Sequence, residues 1–211
     1  MIRDGNQIRS MIFDQNGIYA ENDVVLLRRI EDADRESYLD IYRAKPMWQL
    51  VLSEPALQAD EGLWNMFVNP AVLNTVIIRK ADGKFCGFCG LQAFTDEEEP
   101  ELSIELLEEC QHQGIGTAAL PLLMSKFSQA VGANKFYSRV KAGNLASQKL
   151  MRKVGGVPAG IMTIPGYSEE MIKSMEESDE AQPEWIPELA VEFNTTPQKL
   201  RSHALVFHFE V

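Results

Sequence analysis

The sequence predicts a mixed α/β fold, in which one β-sheet carries helices on both faces. Strand and helix patterns follow one another in the order strand, helix, helix, three strands, helix, strand, helix, strand and final strand. That order is not the strict alternation of a doubly wound sheet. Two further observations shape the prediction: a glycine pair, Gly114 and Gly116, at the start of a helix, and an acidic helical insertion at residues 165–202 before the last strand.

Turn and cap signals define the first elements of the chain. An Asn-Gly pair at residues 16–17 lies between two short apolar runs and predicts a hairpin. Residues 1–22 are therefore expected to form an N-terminal hairpin extension, which covers the core or mediates a homodimer. Residues 24–30 have the composition of a strand, and Asp32 or Asp34 is expected to cap the helix that follows.

The central segment contains helices and a further hairpin. A second helix is predicted over residues 54–67, with a proline at its first turn. An Asp-Gly pair at residues 82–83 joins two strands in a hairpin, and a third strand is expected around Ile104. Residues 115–131 have helical apolar spacing, although Pro121 within them is expected to remove one backbone hydrogen bond.

The last part of the chain contains three strands and a capped helix. Residues 135–140 form the first of these strands, and Asn144 is expected to cap a helix that ends before the Gly-Gly pair at residues 155–156. Residues 157–164 form the next strand. After the acidic insertion, residues 204–211 have strong strand character and are expected to return to the sheet.

The charge of the chain is uneven. The 211 residues carry a net charge of −11, which disfavours nucleic acid as a partner because phosphate backbones are bound by clustered Lys and Arg. Between Gln111 and Ser168, however, there are seven Lys and Arg and no Asp or Glu, so the rest of the chain carries −18. This distribution suits a polyanionic ligand at the basic segment and a cationic ligand elsewhere. The alternative is chance variation of surface charge.

Length and apolar runs indicate one domain without a membrane segment. A chain of 211 residues suits a single domain, residues 1–211, that carries an insertion. No apolar run approaches the roughly 20 residues of a membrane span. The first residues show no apolar signal core, so we expect a cytoplasmic protein that has no membrane partner.

Three cysteines are expected to be free thiols. An odd number cannot pair completely within the chain, and this fits a reducing compartment. Cys86, Cys89, Cys110 and His112 together form a candidate metal set. However, Cys86 and Cys89 are three apart on a predicted strand and face opposite ways, so no metal is expected.

The stretch QHQGIG, residues 111–116, admits three nucleotide-binding interpretations. A helix N-terminus exposes unpaired amides and a partial positive charge, so it binds phosphate oxygens when no side chain obstructs it. A nucleoside triphosphate loop needs Lys-Ser or Lys-Thr after its last glycine, but Thr117-Ala118 follows here. A dinucleotide fold expects its first glycine directly after the strand and an acid roughly 20 residues later. Here polar residues intervene, and the required region has no acid.

The third interpretation rests on a resemblance. Residues 111–116 resemble the Gln/Arg-x-x-Gly-x-Gly/Ala loop with which GNAT acetyltransferases bind the pyrophosphate of coenzyme A. Residues 144–156, NLASQKLMRKVGG, are similar to the Asn-x-x-Ser-x-x-x-x-x-Lys-x-Gly stretch of the RimJ/RimL-like branch, which modifies ribosomal-protein N-termini. The resemblance covers roughly residues 24–164 and the last strand. It implies the GNAT fold, whose sheet is mostly antiparallel and splayed in the middle.

The resemblance implies acetyl-CoA as co-substrate, without a metal. Leu106 and Leu107, at the end of a strand, would offer backbone groups to the pantetheine arm. Asn144 would bind that arm, shape the turn beside it or only cap its helix, and Lys149 or Arg152 would bind the 3′-phosphate. The residues assigned to the pyrophosphate loop are Gln111, Gln113, Gly114, Ile115, Gly116, Thr117 and Ala118.

Acylation of an amine by a thioester needs an uncharged amine and a proton for the leaving thiolate. Glu101 and Glu105 point to the same face of the strand before the loop, and Glu105, nearer the loop, is the preferred base. A solvated carboxylate on an open sheet face is the alternative for each. Many family members have a Tyr as the acid, but Met151 occupies that position here. Ser147 is then the candidate donor to the sulfur, or it only packs at the helix start.

These expectations lead to two functions. The first is an acetyl-CoA-dependent N-acetyltransferase that acetylates a primary amine, on a protein N-terminus or a small cationic molecule, by direct transfer in a ternary complex. The alternative is a catalytically silent coenzyme A-binding regulatory or interaction protein of the same fold, which the absence of the usual Tyr keeps open. The first two helices and the insertion are expected to determine the acceptor.

Overall fold

The computed structural model describes residues 4–43, 60–94 and 99–211. In these ranges the chain forms eight strands and seven α-helices, which confirms the predicted mixed α/β class. They belong to two compact units, one up to Asn134 together with Val211 and the other from Lys135 to Glu210. The single domain predicted from the length stays a prediction. No helix within the described ranges has both the length and the apolar character that a membrane crossing needs.

The first unit is an antiparallel sheet with four helices. The bounds of its elements are α1 Gly5–Ile12, β1 Ile18–Glu21, β2 Val25–Arg28, α2 Arg35–Arg43, α3 Asp60–Phe67, β3 Val72–Arg79, β4 Lys84–Gln92, β5 Glu101–Leu106 and α4 Ile115–Val131. The strands pair in sequence order, from β1 to β5, and each pair is antiparallel. Helix α4 has the predicted bounds and continues through Pro121.

The hairpin predicted for residues 1–22 is wrong in its first half, because α1 replaces the first strand. Asp4 caps this helix by accepting from two backbone amides, and Ile8 and Ile12, four residues apart, are both buried. The Asn-Gly pair does form a turn, in which Asp14 accepts from two amides. Strand β1 then pairs with β2 and not with the preceding segment.

The cap predicted before α2 is formed differently from the expectation. Residues Asp32–Asp34 form a 3₁₀ turn that precedes the helix, and Glu31 is its N-cap residue. The carboxylate of Asp34 accepts from the amide of Glu31 at 2.8 Å and forms a salt bridge with Arg28 at 2.7 Å. Asp34, which is 5 % exposed, therefore stabilises the turn through these two contacts.

Aromatic side chains form a core between α2, α3 and the sheet. The Tyr38 ring stacks on Phe67 with ring centroids 3.9 Å apart, and Trp64 and Phe88 complete the cluster. Within the described residues α3 begins at Asp60. The earlier start that was predicted for this helix lies outside the described residues.

The predicted hairpin at residues 82–83 is confirmed, and Gly83 adopts a φ of 70° in its turn. The register between β3 and β4 shifts near Gly87, whose φ is 142°. A Cβ on Gly87 would lie 2.1 Å from the backbone oxygen of Glu105. Glycine is therefore required for the close approach of β4 to β5.

The second unit is a three-stranded antiparallel sheet with three helices. The bounds of its elements are β6 Lys135–Lys141, α5 Leu145–Lys153, β7 Val157–Thr163, α6 Glu169–Glu176, α7 Ile186–Glu192 and β8 His203–Glu210. Strand β8 lies between β6 and β7. The prediction that the chain returns to the sheet after a helical insertion is therefore confirmed, and α6, α7 and a 3₁₀ turn at Lys199–Arg201 make up that insertion.

Candidate active site

The N-terminus of α4 is the central feature of the site. The chain leaves β5, makes a 3₁₀ turn at Glu108–Cys110 and enters the helix after Gly114. Gly114 has a φ of 78°, and no side chain caps the first amides of α4. A Cβ on Gly114 would meet nothing within 4 Å, so the space on that side of the glycine is open. This helix start can accept an anionic oxygen without displacing a protein group.

The loop before α4 is closed against the end of β5. The side chain of Gln111 donates to the backbone oxygen of Leu106 at 3.2 Å. The amide of Leu107 donates to the oxygen of Cys86 at 2.9 Å, and the oxygen of Leu107 accepts from the amide of Cys110 at 2.9 Å. The backbone groups of Leu106 and Leu107 that the sequence assigns to the pantetheine arm therefore already have hydrogen-bond partners within the protein.

Gln113, the residue before Gly114, has its side chain fixed from two sides. Its Oε1 accepts from Arg79 Nη1 at 2.6 Å, and its Nε2 donates to the backbone oxygen of Glu109. Arg79 lies at the end of β3 and was not predicted as a site residue. No local signal in the sequence indicates this contact, because Arg79 and Gln113 are 34 residues apart.

The two candidate base residues on β5 have different surroundings. Glu101 is only 8 % exposed, so it is not a solvated carboxylate on an open face. Glu105 is half-buried and lies opposite Phe88 of the neighbouring strand β4. Phe88 belongs to the aromatic core that also contains Tyr38. The pKa of Tyr38 is raised, mainly by burial, with smaller contributions from Tyr42 and the negative charge of Glu105. The Glu105 carboxylate is therefore close to the tyrosines of α2, Tyr38 and Tyr42.

In the second unit, Asn144 caps α5 as predicted. Its Oδ1 accepts from the amide of Ser147 at 3.0 Å. The cap uses the oxygen of the side chain, so a ligand contact of Asn144 would have to come from its NH₂ group. Ser147 is half-buried, and Met151, in the position of the usual Tyr, is 2 % exposed. Met151 is thus a packing residue of α5.

The two bases considered for the 3′-phosphate are in contrasting environments. Arg152 pairs with Glu192 of the insertion at 2.7 Å, and its guanidinium lies over the rings of Phe207 at 5.3 Å and Phe193 at 6.0 Å. Lys149, on the same helix, is exposed. An ion-paired and stacked guanidinium is the less available group for a phosphate, so this geometry favours Lys149.

A groove of about 770 Å³ lies beside the end of β5. Its lining combines apolar side chains with carboxylates. One of the carboxylates, Glu109, lies 3.4 Å from the ammonium group of Lys84. The lining residues are Ser37, Asp40, Ile41, Lys84, Phe85, Leu106, Leu107, Glu108, Glu109 and Gln111.

The three cysteines are buried free thiols. Burial and a hydrogen bond with Cys110 raise the pKa of Cys86 to about 12, and burial raises the pKa of Cys89 to about 12. Thr75 Oγ1 lies 3.4 Å from the sulfur of Cys89. Within the described ranges, no group of three or more His, Cys, Asp or Glu could hold a metal ion. The expected absence of a metal stays a prediction.

The sequence defines this protein as a transferase of the acetyltransferase class, and the mixed α/β fold agrees with that class. The sequence profile described as an acetyltransferase (GNAT) domain matches residues 25–157, more than half of the chain. The chain therefore belongs to the GNAT acetyltransferase family and is an N-acetyltransferase by class, as the sequence predicted. No curated protein matches the chain in sequence.

Solved structures of acetyltransferases share this fold. A spermidine N-acetyltransferase from Vibrio cholerae, in complex with CoA and spermine, gives a TM-score of 0.59 at 14% identity and covers 90% of this chain and 96% of its own. RimJ from Mycobacterium smegmatis, in complex with CoA-disulfide, gives a TM-score of 0.56 at 19% identity, and the match covers 89% of this chain and 82% of RimJ. RimL, a ribosomal alpha-N-protein acetyltransferase in complex with coenzyme A, gives a TM-score of 0.60 at 13% identity, and the match covers 92% of this chain and 98% of RimL. At these identities the likeness shows the fold alone.

Proposed function

We propose that this chain transfers the acetyl group of acetyl-CoA to a primary amine, by direct transfer in a ternary complex. The observation that carries this proposal is the uncapped start of α4 behind Gly114. Its free amides and the positive end of the helix dipole suit the diphosphate of coenzyme A. The CoA complexes of the structural relatives support the choice of donor.

The amides of residues 113–117 bind the diphosphate in this proposal. The amide predicted at Ala118 is not free, because it donates to the backbone oxygen of Gly114 at 3.0 Å and closes the first turn of α4. The backbone near Leu106 and Leu107 lies beside the pantetheine arm, and Asn144 contacts that arm through its NH₂ group. Lys149 binds the 3′-phosphate, because the charge of Arg152 is already paired with Glu192. Gln111 holds the loop closed through the oxygen of Leu106.

Glu105 and Ser147 carry the chemistry. Glu105 removes a proton from the ammonium form of the acceptor, directly or through water, because only the uncharged amine attacks the thioester carbonyl. The new C–N bond forms and the C–S bond breaks. Ser147 donates its hydroxyl proton to the leaving thiolate, and the second proton that the nitrogen loses as it becomes an amide restores the Ser147 hydroxyl, directly or through water. Ser147 takes this role because Met151 has no proton to give.

The acceptor is a primary amine on a protein N-terminus or on a small cationic molecule. The relatives include an enzyme for a ribosomal protein and one for spermidine, and both substrates offer amines. The groove beside β5 has three carboxylates and one lysine in its lining, which suits a cationic acceptor. We place the protein in the cytoplasm, where acetyl-CoA would be supplied.

Calorimetry with coenzyme A and acetyl-CoA tests donor binding, and Gly114→Ala should weaken it roughly tenfold because its methyl group enters the phosphate space. Gly132→Ala is the matched control at the other end of α4. Gly132 also has a positive φ, 73°, and also has open space around its Cβ position. Equal binding in both variants, or no heat with the parent protein, would reject the proposal.

Turnover is tested by thiol release from acetyl-CoA over a panel of amines and N-terminal peptides. Glu105→Gln and Ser147→Ala should each lower kcat by about a hundredfold or more, as expected for general acid and base groups. Full activity in both variants would remove these assignments. Retained coenzyme A binding with no turnover on any amine would instead establish the alternative, a silent coenzyme A-binding protein.

A further inference from the structure

The turn between β3 and β4 is tied to the glycine loop by Arg79. Its Nε and Nη2 donate to the two carboxylate oxygens of Asp82 at 2.9 and 2.6 Å. Its Nη1 donates to Gln113 Oε1 at 2.6 Å. The bidentate pair with Asp82 fixes the plane of the guanidinium, and the third hydrogen bond therefore fixes the position of Gln113.

A second contact joins the same two segments. Lys84, the first residue of β4, lies 3.4 Å from the carboxylate of Glu109. The side chain of Gln113 donates to the backbone oxygen of Glu109. The hairpin thus holds the loop at both of its ends, and Gln113 is the residue at which these interactions meet.

The loop needs such support because its backbone is unfavourable. His112 has a φ of 58°, in the left-handed region that side chains with a Cβ rarely adopt, and Gly114 has a φ of 78°. Gln113 lies between them. Contacts to its side chain stabilise this conformation, in which the chain enters α4 with its first amides uncapped.

We propose that Arg79 is a positioning residue for acetyl-CoA binding: through Gln113 it holds the glycine loop in the conformation that receives the diphosphate. This inference rests on the proposed function, because it assigns the ligand of the loop. Arg79 acts on the loop and does not contact the phosphates. Its charge is already engaged by Asp82, which makes a direct phosphate contact the weaker use of this guanidinium.

A double-mutant cycle separates action through Gln113 from direct contact. Calorimetry with coenzyme A is performed on Arg79→Ala, Gln113→Ala and the double variant. Each single variant should bind roughly tenfold more weakly than the parent, and the double variant should bind no more weakly than either single variant. Additive losses, about a hundredfold in the double variant, would mean that Arg79 acts independently of Gln113 and would overturn the proposal.

Steady-state kinetics and a matched variant exclude a general effect on the fold or the charge. Arg79→Ala should raise the KM of acetyl-CoA about tenfold and leave kcat and the KM of the amine within about twofold. Lys80→Ala removes the same charge one residue away, where Lys80 pairs with Glu21 at 2.7 Å, and should change binding by less than about twofold. An equal loss in both variants would overturn the proposal.

The failure of this inference can be told apart from the failure of the proposed function. If the parent protein does not bind coenzyme A, both are wrong. If the parent binds coenzyme A and Arg79→Ala binds it equally well, only the role of Arg79 is wrong, and the proposed function stands.

Discussion

The two helix starts at which the sequence predicts cofactor-binding residues differ in how their amides are satisfied. Helix α4 of the first unit follows Gly114 and has no side-chain cap, whereas α5 of the second unit is capped by Asn144. The side chain of Asn144 occupies the amide of Ser147, so that amide of α5 is not available to a ligand. The uncapped α4 keeps its amides available. We therefore expect anion binding at the start of α4 in the first unit.

The same units also differ in the contacts that an arginine makes in each of them. Arg79 holds the loop before α4 through hydrogen bonds and an ion pair. Arg152 lies on α5 itself, pairs with Glu192 and covers the ring of Phe207. Exposed polar contacts contribute little to stability, whereas a guanidinium stacked on rings also buries apolar surface. The first network therefore sets a loop geometry, and the second mainly stabilises its unit.

The largest expected effect is the protection of the thiols, which lie only in the first unit. Burial and a pKa of about 12 for Cys86 and Cys89 leave very little thiolate at pH 8. Labelling of the folded protein with an aromatic disulfide reagent should be at least about a thousandfold slower than labelling of the urea-unfolded chain. Because residues 135–210 contain no cysteine, this rate reports the opening of the first unit alone. One rapidly labelled thiol in folded protein would contradict the close packing of that unit.

The next effect concerns the junction of β4 and β5, which leads into the uncapped helix. Gly87→Ala should lower the free energy of unfolding by about 3 kcal/mol or more, because the added methyl group would meet the backbone of Glu105 at 2.1 Å. Urea unfolding measures this change. The control is Gly83→Ala: its φ is also positive, at 70°, but its Cβ position is open, so a loss of about 1 kcal/mol is expected. Similar losses in both variants would show that the strands can separate to admit a side chain.

Elements with local signals could be predicted from the sequence. The turn at residues 82–83, the cap at Asn144 and helix α4 were all placed correctly, because each depends on residues that are near one another in the chain. The first strand of the N-terminal hairpin was wrong for a related reason. The turn signal at residues 16–17 is real, but the helical spacing of Ile8 and Ile12 and the cap at Asp4 were not considered.

Contacts between residues far apart in the chain could not be predicted in the same way. Arg79 and Gln113 are 34 residues apart, and Arg152 and Glu192 are 40 apart. No turn, cap or periodicity links such pairs. The resemblance to the acetyltransferases predicts which residues form the cofactor loop, but it carries no information about the hairpin that contacts this loop.

The third prediction separates the two arginines by stability. Arg152→Ala should lower the free energy of unfolding by about 2 kcal/mol, because it removes the ion pair, the cover over Phe207 and a hydrogen bond to Gln148. Arg79→Ala should lower it much less, because ion pairs near the surface contribute little to stability. Urea unfolding of both variants, with coenzyme A binding measured in parallel, checks this contrast. A stable Arg152→Ala protein with weakened binding would reverse the roles of the two networks.

The smallest effect tests which charge on α5 recognises the donor. If Lys149 binds the 3′-phosphate, Lys149→Ala should weaken coenzyme A binding about fivefold, since an exposed charge pair contributes about 1 kcal/mol. With 3′-dephospho-coenzyme A, parent and variant should bind equally, because the group that Lys149 contacts is missing. Lys173→Ala removes the same charge from α6 and should have no effect on either ligand. A fivefold loss that persists with the dephosphorylated ligand would mean that Lys149 acts on another part of the donor, and the contrast with the ion-paired Arg152 would then lose its basis.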